Sequence, residues 1–455
     1  SAVSSVPAGV TQLDSNLVIN GERQNNISPR VGFAWQVLPN SIRFVLRGGY
    51  GDYYSRLTGQ PIFQLISQPP FSLIRTITGT PNAAATLSNP FPAPVTFPSF
   101  VPYSPTTNLT IRALAADYRP SITRQYSLNL QSEIARDFLL EVGYVGTRGT
   151  HLQQTRSLNQ ALLASASNPI RGATTNTVAN IAQRLPVQGF TAPGIAQIEN
   201  SGASWYNGLE ASLTKRFSQG LQFQASYTFS KVLDTNGLDL NSSGIGVLLG
   251  NQNNPKGGYG RAIFDRTQRF VLSYVYEFPI QSSRAGLVGK VLGGWAIGGV
   301  TTIQTGQALT ITATNANSVF GITNNRAQVA AGCTYADLTT SGGVSQRVGN
   351  YFNRACFGAF PIIGDDGRAT GYGNSGAGIV EGPGQNNTDI ALFKKTPVRW
   401  PNEGSNIEFR AEFFNAFNHA QFANPVAVVT ASNFGQITAT AVSPRIMQFA
   451  LKFNF

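Results

Sequence analysis

The chain has 455 residues, a net charge of +12 and a near-neutral mean hydropathy, and only 12% of its residues are charged. That is about half the charged share of a soluble domain. The basic residues are scattered without a run, no nucleic-acid module is recognisable, and no stretch of roughly 18 apolar residues occurs, which excludes a nucleic-acid partner and a membrane-spanning helix. A transmembrane β-barrel stays open, because its strands alternate lipid-facing and lumen-facing residues and average to neutral hydropathy.

Residues 1 to 27 are polar and turn-rich, with one weak strand candidate at Asn16 to Asn20. The opening SAVSSVPAGV has neither a charged n-region nor an apolar h-region, so an exported protein would be mature or truncated here. Alternation then begins. Val31, Phe33, Trp35 and Val37 alternate with Arg30, Gly32, Ala34 and Gln36. After a turn at Pro39-Asn40, Ile42, Phe44, Leu46 and Tyr50 alternate with Arg43, Val45, Arg47 and Gly49. Period two bounded by turn residues predicts antiparallel strands.

A Pro- and Thr-rich loop of about 65 residues follows. Tyr126, Leu128 and Leu130 then alternate with Gln125, Ser127, Asn129 and Gln131, and a turn near Ala135-Arg136 leads to Leu140, Val142 and Tyr144. The segment Gln153 to Ser201 is long, with a short helix predicted around Val178 to Leu185. Leu209, Ala211 and Leu213 come next. Beyond the turn Ser218-Gln219-Gly220, Leu221, Phe223, Ala225, Tyr227 and Phe229 alternate with Gln222, Gln224, Ser226, Thr228 and Ser230. This polar side holds amides and hydroxyls rather than charges, which suits a wet interior better than the outside of a sandwich.

Phe270 to Phe278 repeats the pattern with Arg269 and Glu277 on its polar side, and Trp295, Ile297 and Ile303 follow a longer turn over residues 280–294. A loop of about 75 residues holds Cys333 and Cys356, the only cysteines. Their placement suits a loop-closing disulfide in an oxidising compartment, with two free thiols as the alternative. A strand around Asp389 to Lys395 precedes Ile407, Phe409, Ala411 and Phe413, which alternate with Glu408, Arg410 and Glu412. In the terminal PRIMQFALKFNF, Met447, Phe449, Leu451, Phe453 and Phe455 share one face.

The pattern gives about eleven strands with connections alternating short and long. Short turns near Pro39, Ala135, Gln219, Arg284 and Asn402 share one side with the C-terminus. The predicted fold class is all-β, a portion of an antiparallel transmembrane β-barrel with short periplasmic turns and long extracellular loops, in the outer membrane of a Gram-negative bacterium. Trp35, Tyr50, Tyr144 and Trp295 fall near strand ends, as interface girdles require. Eleven is odd, whereas bacterial single-chain barrels have even counts. The simplest account is the C-terminal part of a larger barrel; a twelfth strand at Asn16 to Asn20 is the alternative.

Catalysis is poorly supported. His151 and His419 lie near no nucleophile motif, no C-x-x-C is present, and Gly-rich GYGNSGAGIVEGPGQ lacks the strand-turn-helix setting of a phosphate loop. The predictions are a non-enzyme with no cofactor and no metal. Glu408, Arg410 and Glu412 read as an ion-pair ladder rather than a catalytic pair. Arg43, Arg47, Gln222, Gln224, Arg269, Glu408, Arg410 and Glu412 are the lumen-facing candidates to meet a plug or solute, against the plainer reading that they only solvate the interior. The long loops are the expected outer binding surface.

The stretches SPRVGFAW, VLRGGYGDYY, EVGYVGTRGTHL, YNGLEASLTKRFSQGLQFQASYTFSK, FDRTQRFVLSYVYEFP, GGWAIGGVTTIQTGQ, GPGQNNTDIALFKK, FRAEFFNAFNHAQFANP and PRIMQFALKFNF, in this order across residues 28 to 455, carry a resemblance. Together they resemble the C-terminal barrel of TonB-dependent outer-membrane receptors of the Oar-like type. The resemblance implies a barrel of roughly 22 strands, of which eleven are the second half. On that basis residues 1–27 are an extracellular loop remnant and 28–455 the half barrel, without the plug or N-terminal strands. It further implies as partners a plug domain and TonB complex through a preceding segment, an unknown solute, outer-membrane lipid or lipopolysaccharide, and the barrel-assembly machinery, read through Phe449, Leu451, Phe453 and Phe455. The implied function is energised uptake of a scarce solute, with glycan or peptide among the candidates. The rivals are a passive pore or surface adhesin, and a soluble all-β binding protein.

Overall fold

The computed structural model describes residues 26–37, 44–55, 111–115, 118–235, 246–280, 287–368, 371–398 and 400–455. Asn16 to Asn20, the Pro39-Asn40 turn, Arg43, Arg284 and most of the first long loop lie outside them.

Eleven strands form one antiparallel meander: β1 (Arg30–Gln36), β2 (Phe44–Tyr54), β3 (Ile122–Ala135), β4 (Phe138–Ser157), β5 (Ile195–Ser218), β6 (Leu221–Asp234), β7 (Gln268–Glu277), β8 (Trp295–Gln304), β9 (Gln385–Pro397), β10 (Asn406–Phe414) and β11 (Ile446–Asn454). Each pairs with its neighbour in sequence, so sheet order is chain order. Among the described residues, the outer edges of β1 and β11 carry no partner strand.

Short connections set the register. The β5–β6 hairpin closes in two residues, with Ser218 opposite Leu221. Gln219 and Gly220 have φ of 52° and 78°, the left-handed pair that a two-residue hairpin needs to match strand twist. The β3–β4 turn falls at Arg136-Asp137, closed by Ala135 opposite Phe138, with a register shift between Glu133 and Ala135 just before it.

The faces separate cleanly. One lateral row runs Trp35, Leu46, Leu130, Val142, Ala211, Tyr227, Phe270 and Ile303. On this face Phe449 and Leu451 are 63% and 75% exposed, which water would penalise and lipid does not. The apolar face is the outer one. Lys215 and Lys394 also lie on it by register, but next to periplasmic turns. There Lys215 Nζ donates to the carbonyls of Ser218 and Leu221 at 2.9 Å, and Lys394 Nζ to those of Val291 and Gly293 at 2.9 and 3.0 Å. Both ammonium groups thus reach polar partners at the interface while their stems lie along apolar surface.

A membrane crossing takes about 9–11 tilted residues. β7 and β8, with 10 residues each, match it. β4 and β5, with 20 and 24, continue well past the bilayer on the extracellular side. There the long loops depart from the irregular segments expected. Connections β8–β9 and β10–β11 fold together around a hydrophobic core of Leu309, Ile311, Leu338, Phe352, Phe434 and Ile437. Phe352 stacks on Phe434 at 5.1 Å, and Cys333 is bonded to Cys356 inside this unit. The predicted helix in the β4–β5 connection is a single turn, Ile181–Arg184, packed through Leu185 against Ala161, Ala192 and Ile322. The described loops therefore form an ordered extracellular cap with its own core.

Candidate functional site

The polar face of the wall is the interior one. Its upper row runs Arg47, Asn129, Gly143, Glu210, Thr228, Arg269, Gln304 and Gln385, so Arg47 and Arg269 share a level five strands apart. Gln222 and Gln224 alternate on β6, with Gln224 opposite Ser273 and its amide reaching Ser212 Oγ at 3.4 Å. Glu408, Arg410 and Glu412 alternate on β10 opposite Lys395, Phe393 and Ala391. Arg410 is ion-paired to Glu408 and lies 5.3 Å over the Phe393 ring. These contacts hold the guanidinium against the wall.

Two cavities sit on this face. One of about 520 Å³ brings together Gln222, Gln224, Asp389 and Glu412 around an apolar floor of Val275, Val300, Ala391 and Phe393. The second, about 540 Å³, lies toward the periplasmic end and gathers Glu277, Lys395, Glu408 and Arg410. The sequence candidates thus divide: Gln222, Gln224 and Glu412 meet at one cavity, Glu408 and Arg410 at the other. Arg47 and Arg269 line neither, and Arg43 is outside the described residues. Concave sites with apolar floors and a few polar groups are the usual form of a small-molecule site. Asp389 was not singled out from sequence. Its Oδ1 accepts from the Asn415 N–H at 2.7 Å and from Asn387 Nδ2 at 3.0 Å, which ties the wall to the β10–β11 connection.

The cap is fastened to the wall by buried polar contacts. Asp265, fully buried, accepts from the Val232 N–H at 2.8 Å and pairs with Arg261 at 2.7 Å, while Arg261 also faces Glu381 at 3.6 Å. Tyr351 Oη donates to the Glu381 carbonyl at 2.8 Å. Within the cap, the fully buried Arg184 joins two loops. Nε donates to Asn180 Oδ1 at 2.8 Å, Nη1 to the Leu162 carbonyl at 2.6 Å, and Nη2 to the carbonyls of Thr177 and Val319 at 3.1 and 2.8 Å. Burial pulls its pKa down, opposed by the charge of Asp365. The Tyr372 phenol, stacked 4.4 Å from Phe320, is pushed far up by burial. The Asp337 carboxyl is held below its ordinary value by the hydroxyl and N–H of Thr334.

His151 sits at a β-bulge with φ 56°, where its carbonyl accepts from Ser121 Oγ at 2.7 Å and Asn200 Nδ2 at 2.9 Å. His419 Nδ1 lies 3.1 Å from Gln421 Nε2. Among the described residues no group of three His, Cys, Asp or Glu is arranged to hold a metal.

The description "outer membrane beta barrel domain" fits residues 3–448, nearly the whole chain. The chain belongs to the outer membrane β-barrel domain family. Its membership places the barrel in the outer membrane of a Gram-negative bacterium. Solved structures similar to this barrel include the outer membrane transporter YddB from Escherichia coli (11% identity, 94% of this chain and 40% of that one, TM-score 0.49). They also include the FrpB iron transporter from Neisseria meningitidis (11%, 94% and 39%, 0.40) and the ferripyoverdine receptor of Pseudomonas aeruginosa (10%, 93% and 32%, 0.40). The barrel spans about two fifths of the length of YddB. No curated protein matches it.

Proposed function

We propose that this chain is the C-terminal half of the barrel of a TonB-dependent outer-membrane receptor of the Oar-like type, taking part in energised uptake of a scarce solute such as a glycan or peptide. The observation that carries the reading is the interior wall. Its polar face, with two cavities, lies below a cored extracellular cap on an eleven-strand sheet whose edge strands are unpaired among the described residues. β1 runs from the extracellular to the periplasmic side, as strand twelve of an up-first barrel does, and eleven further strands bring the count to about 22, a size that encloses a plugged lumen. In this reading Gln222, Gln224 and Glu412, and the ladder of Glu408 and Arg410, face the plug or the passing solute. The remaining strands, the plug and the TonB-contacting box belong to a preceding segment, and Phe449, Leu451, Phe453 and Phe455 present the assembly signal.

The coding sequence upstream of Ser1 tests this directly: a plug and a further set of alternating strands are expected. A signal peptide abutting Ser1, with no plug, contradicts the receptor and leaves a passive pore or adhesin. In the intact receptor, deleting the TonB-contacting box abolishes uptake while surface binding of the solute persists.

A further inference from the structure

The extracellular cap holds a pocket of about 480 Å³ between the β4–β5 and β8–β9 connections, separate from the two cavities of the interior wall. Ile181, Leu185, Phe190 and Pro193 line it from the first connection, and Ala316 and Ser318 from the second. Hydrogen bonds set its walls. Asn159, fully buried, accepts from the Val187 N–H at 2.8 Å and donates to the carbonyls of Val187 and Thr191 at 3.0 and 3.1 Å, which fixes the chain on either side of Phe190. Gln188 Nε2 donates to the carbonyls of Ala182 and Leu185 at 3.0 and 3.1 Å and ties that segment to the helical turn. Gly321 has φ 72°, and a Cβ there would run into Ala192, so the two connections meet closely at that point.

Two features define what fits. Among the described residues no charged side chain lines the pocket. Arg184, on the adjoining helical turn, directs its guanidinium to Asn180 and to the carbonyls of Leu162, Thr177 and Val319. An ion entering the pocket would give up hydration and find no counter-charge, which is strongly unfavourable. The second feature is Ser318. It is 1% exposed, and among the described residues its Oγ has no hydrogen-bond partner. Buried hydroxyls are almost always paired, because an unpaired one loses the bonds it made to water. Apolar walls around one unanswered hydroxyl match a ligand with an apolar body and one hydrogen-bonding group, and the volume lies within the roughly 300–1,000 Å³ of small-molecule sites.

We propose that this cap pocket binds a small uncharged molecule with an apolar ring body and a hydroxyl group, an aromatic alcohol being the simplest case. The rings lie among Ile181, Leu185, Phe190 and Pro193, and the hydroxyl pairs with Ser318 Oγ. A ligand so placed touches both connections at once, so it holds the cap closed where Arg184 already joins them. The inference concerns the cap alone and stands independently of the transport reading.

The test is hydrogen exchange of the full chain in amphipol, read by mass spectrometry, with 2-naphthol and 2-naphthalenesulfonate as probes. Peptides covering 178–193 and 315–323 should exchange more slowly as 2-naphthol rises, by about elevenfold at ten times its Kd, while peptides from β6 and β7 stay unchanged. The sulfonate should protect neither segment. Ser318→Ala removes a hydroxyl that makes no bond within the protein, so exchange without a probe should not quicken, whereas affinity for 2-naphthol should fall about fivefold. Ala182 is exposed and lines the pocket, and Ala182→Trp should abolish protection with the wall's exchange unaltered. Absence of protection by 2-naphthol in the unaltered protein overturns the proposal without any variant. Equal protection by the sulfonate overturns it too, as does full affinity in Ser318→Ala or in Ala182→Trp.

Discussion

Arg184→Ala should uncouple the two loops that meet in the cap while leaving the wall intact. The guanidinium is buried and is the donor to four acceptors: Asn180 Oδ1 and the carbonyls of Leu162, Thr177 and Val319. Leaving a buried acceptor unpaired costs about 1–3 kcal/mol. Taking the low end, because relaxed loops admit water, the set costs about 4 kcal/mol. The loss is local, since the contacts connect only the β4–β5 and β8–β9 connections. In hydrogen exchange read by mass spectrometry, peptides covering 159–192 and 316–323 should exchange faster by close to three orders of magnitude, the equivalent of that free energy. Peptides from β6 and β7 should not change. Arg184→Lys keeps the charge but offers a compact ammonium in place of a planar fork, so partial protection is expected. Unchanged exchange in Arg184→Ala would refute the strut, and equal acceleration throughout the wall would refute its local character.

Replacing Cys333 and Cys356 by serine removes a crosslink spanning 23 residues, worth about 3.5 kcal/mol by loop closure; limited proteolysis should cut the cap between them while the β-signal in circular dichroism persists. Leu272→Arg, midway along the lipid face of β7, should cost about 2–4 kcal/mol in urea titrations of folding into bilayers, as a charge near the bilayer midplane does, whereas Gln224→Arg on the interior face should cost under about 1 kcal/mol. Gly220→Ala places a Cβ 2.6 Å from the Glu277 carbonyl oxygen at φ 78°, and should destabilise the β5–β6 hairpin by about 1–2 kcal/mol in the same titration.

The wall was legible because its information is local and repeated. Period two over ten residues, a turn, and the same again specifies β5 and β6 without any long-range knowledge, and fixes which side Leu209 and Gln222 take. The cap was not legible for the opposite reason. Leu309, Phe352, Phe434 and Ile437 follow no period and come from connections separated by β9 and β10, so nothing in the order of residues announces that they pack together. Arg184 carries no signal in the sequence because a single basic residue in a loop is normally solvated, and only the folded carbonyls of Leu162 and Val319 give it a burial site. Asp389 was hidden similarly, inside a strand whose alternation accounts for it without the Asn415 contact. The cysteines stood between these cases: their placement suggested a bridge but not the core around it.

The central claim is that one face of the meander meets lipid and the other a wet interior. Spin labels at single cysteines along Leu221 to Phe229, in the protein reconstituted into liposomes, test it most directly. Collision with oxygen should peak at 221, 223, 225, 227 and 229. Collision with a water-soluble nickel chelate should peak at 222, 224, 226 and 228. Equal access of the chelate to both sets would contradict the account, since it would put water where the barrel requires lipid.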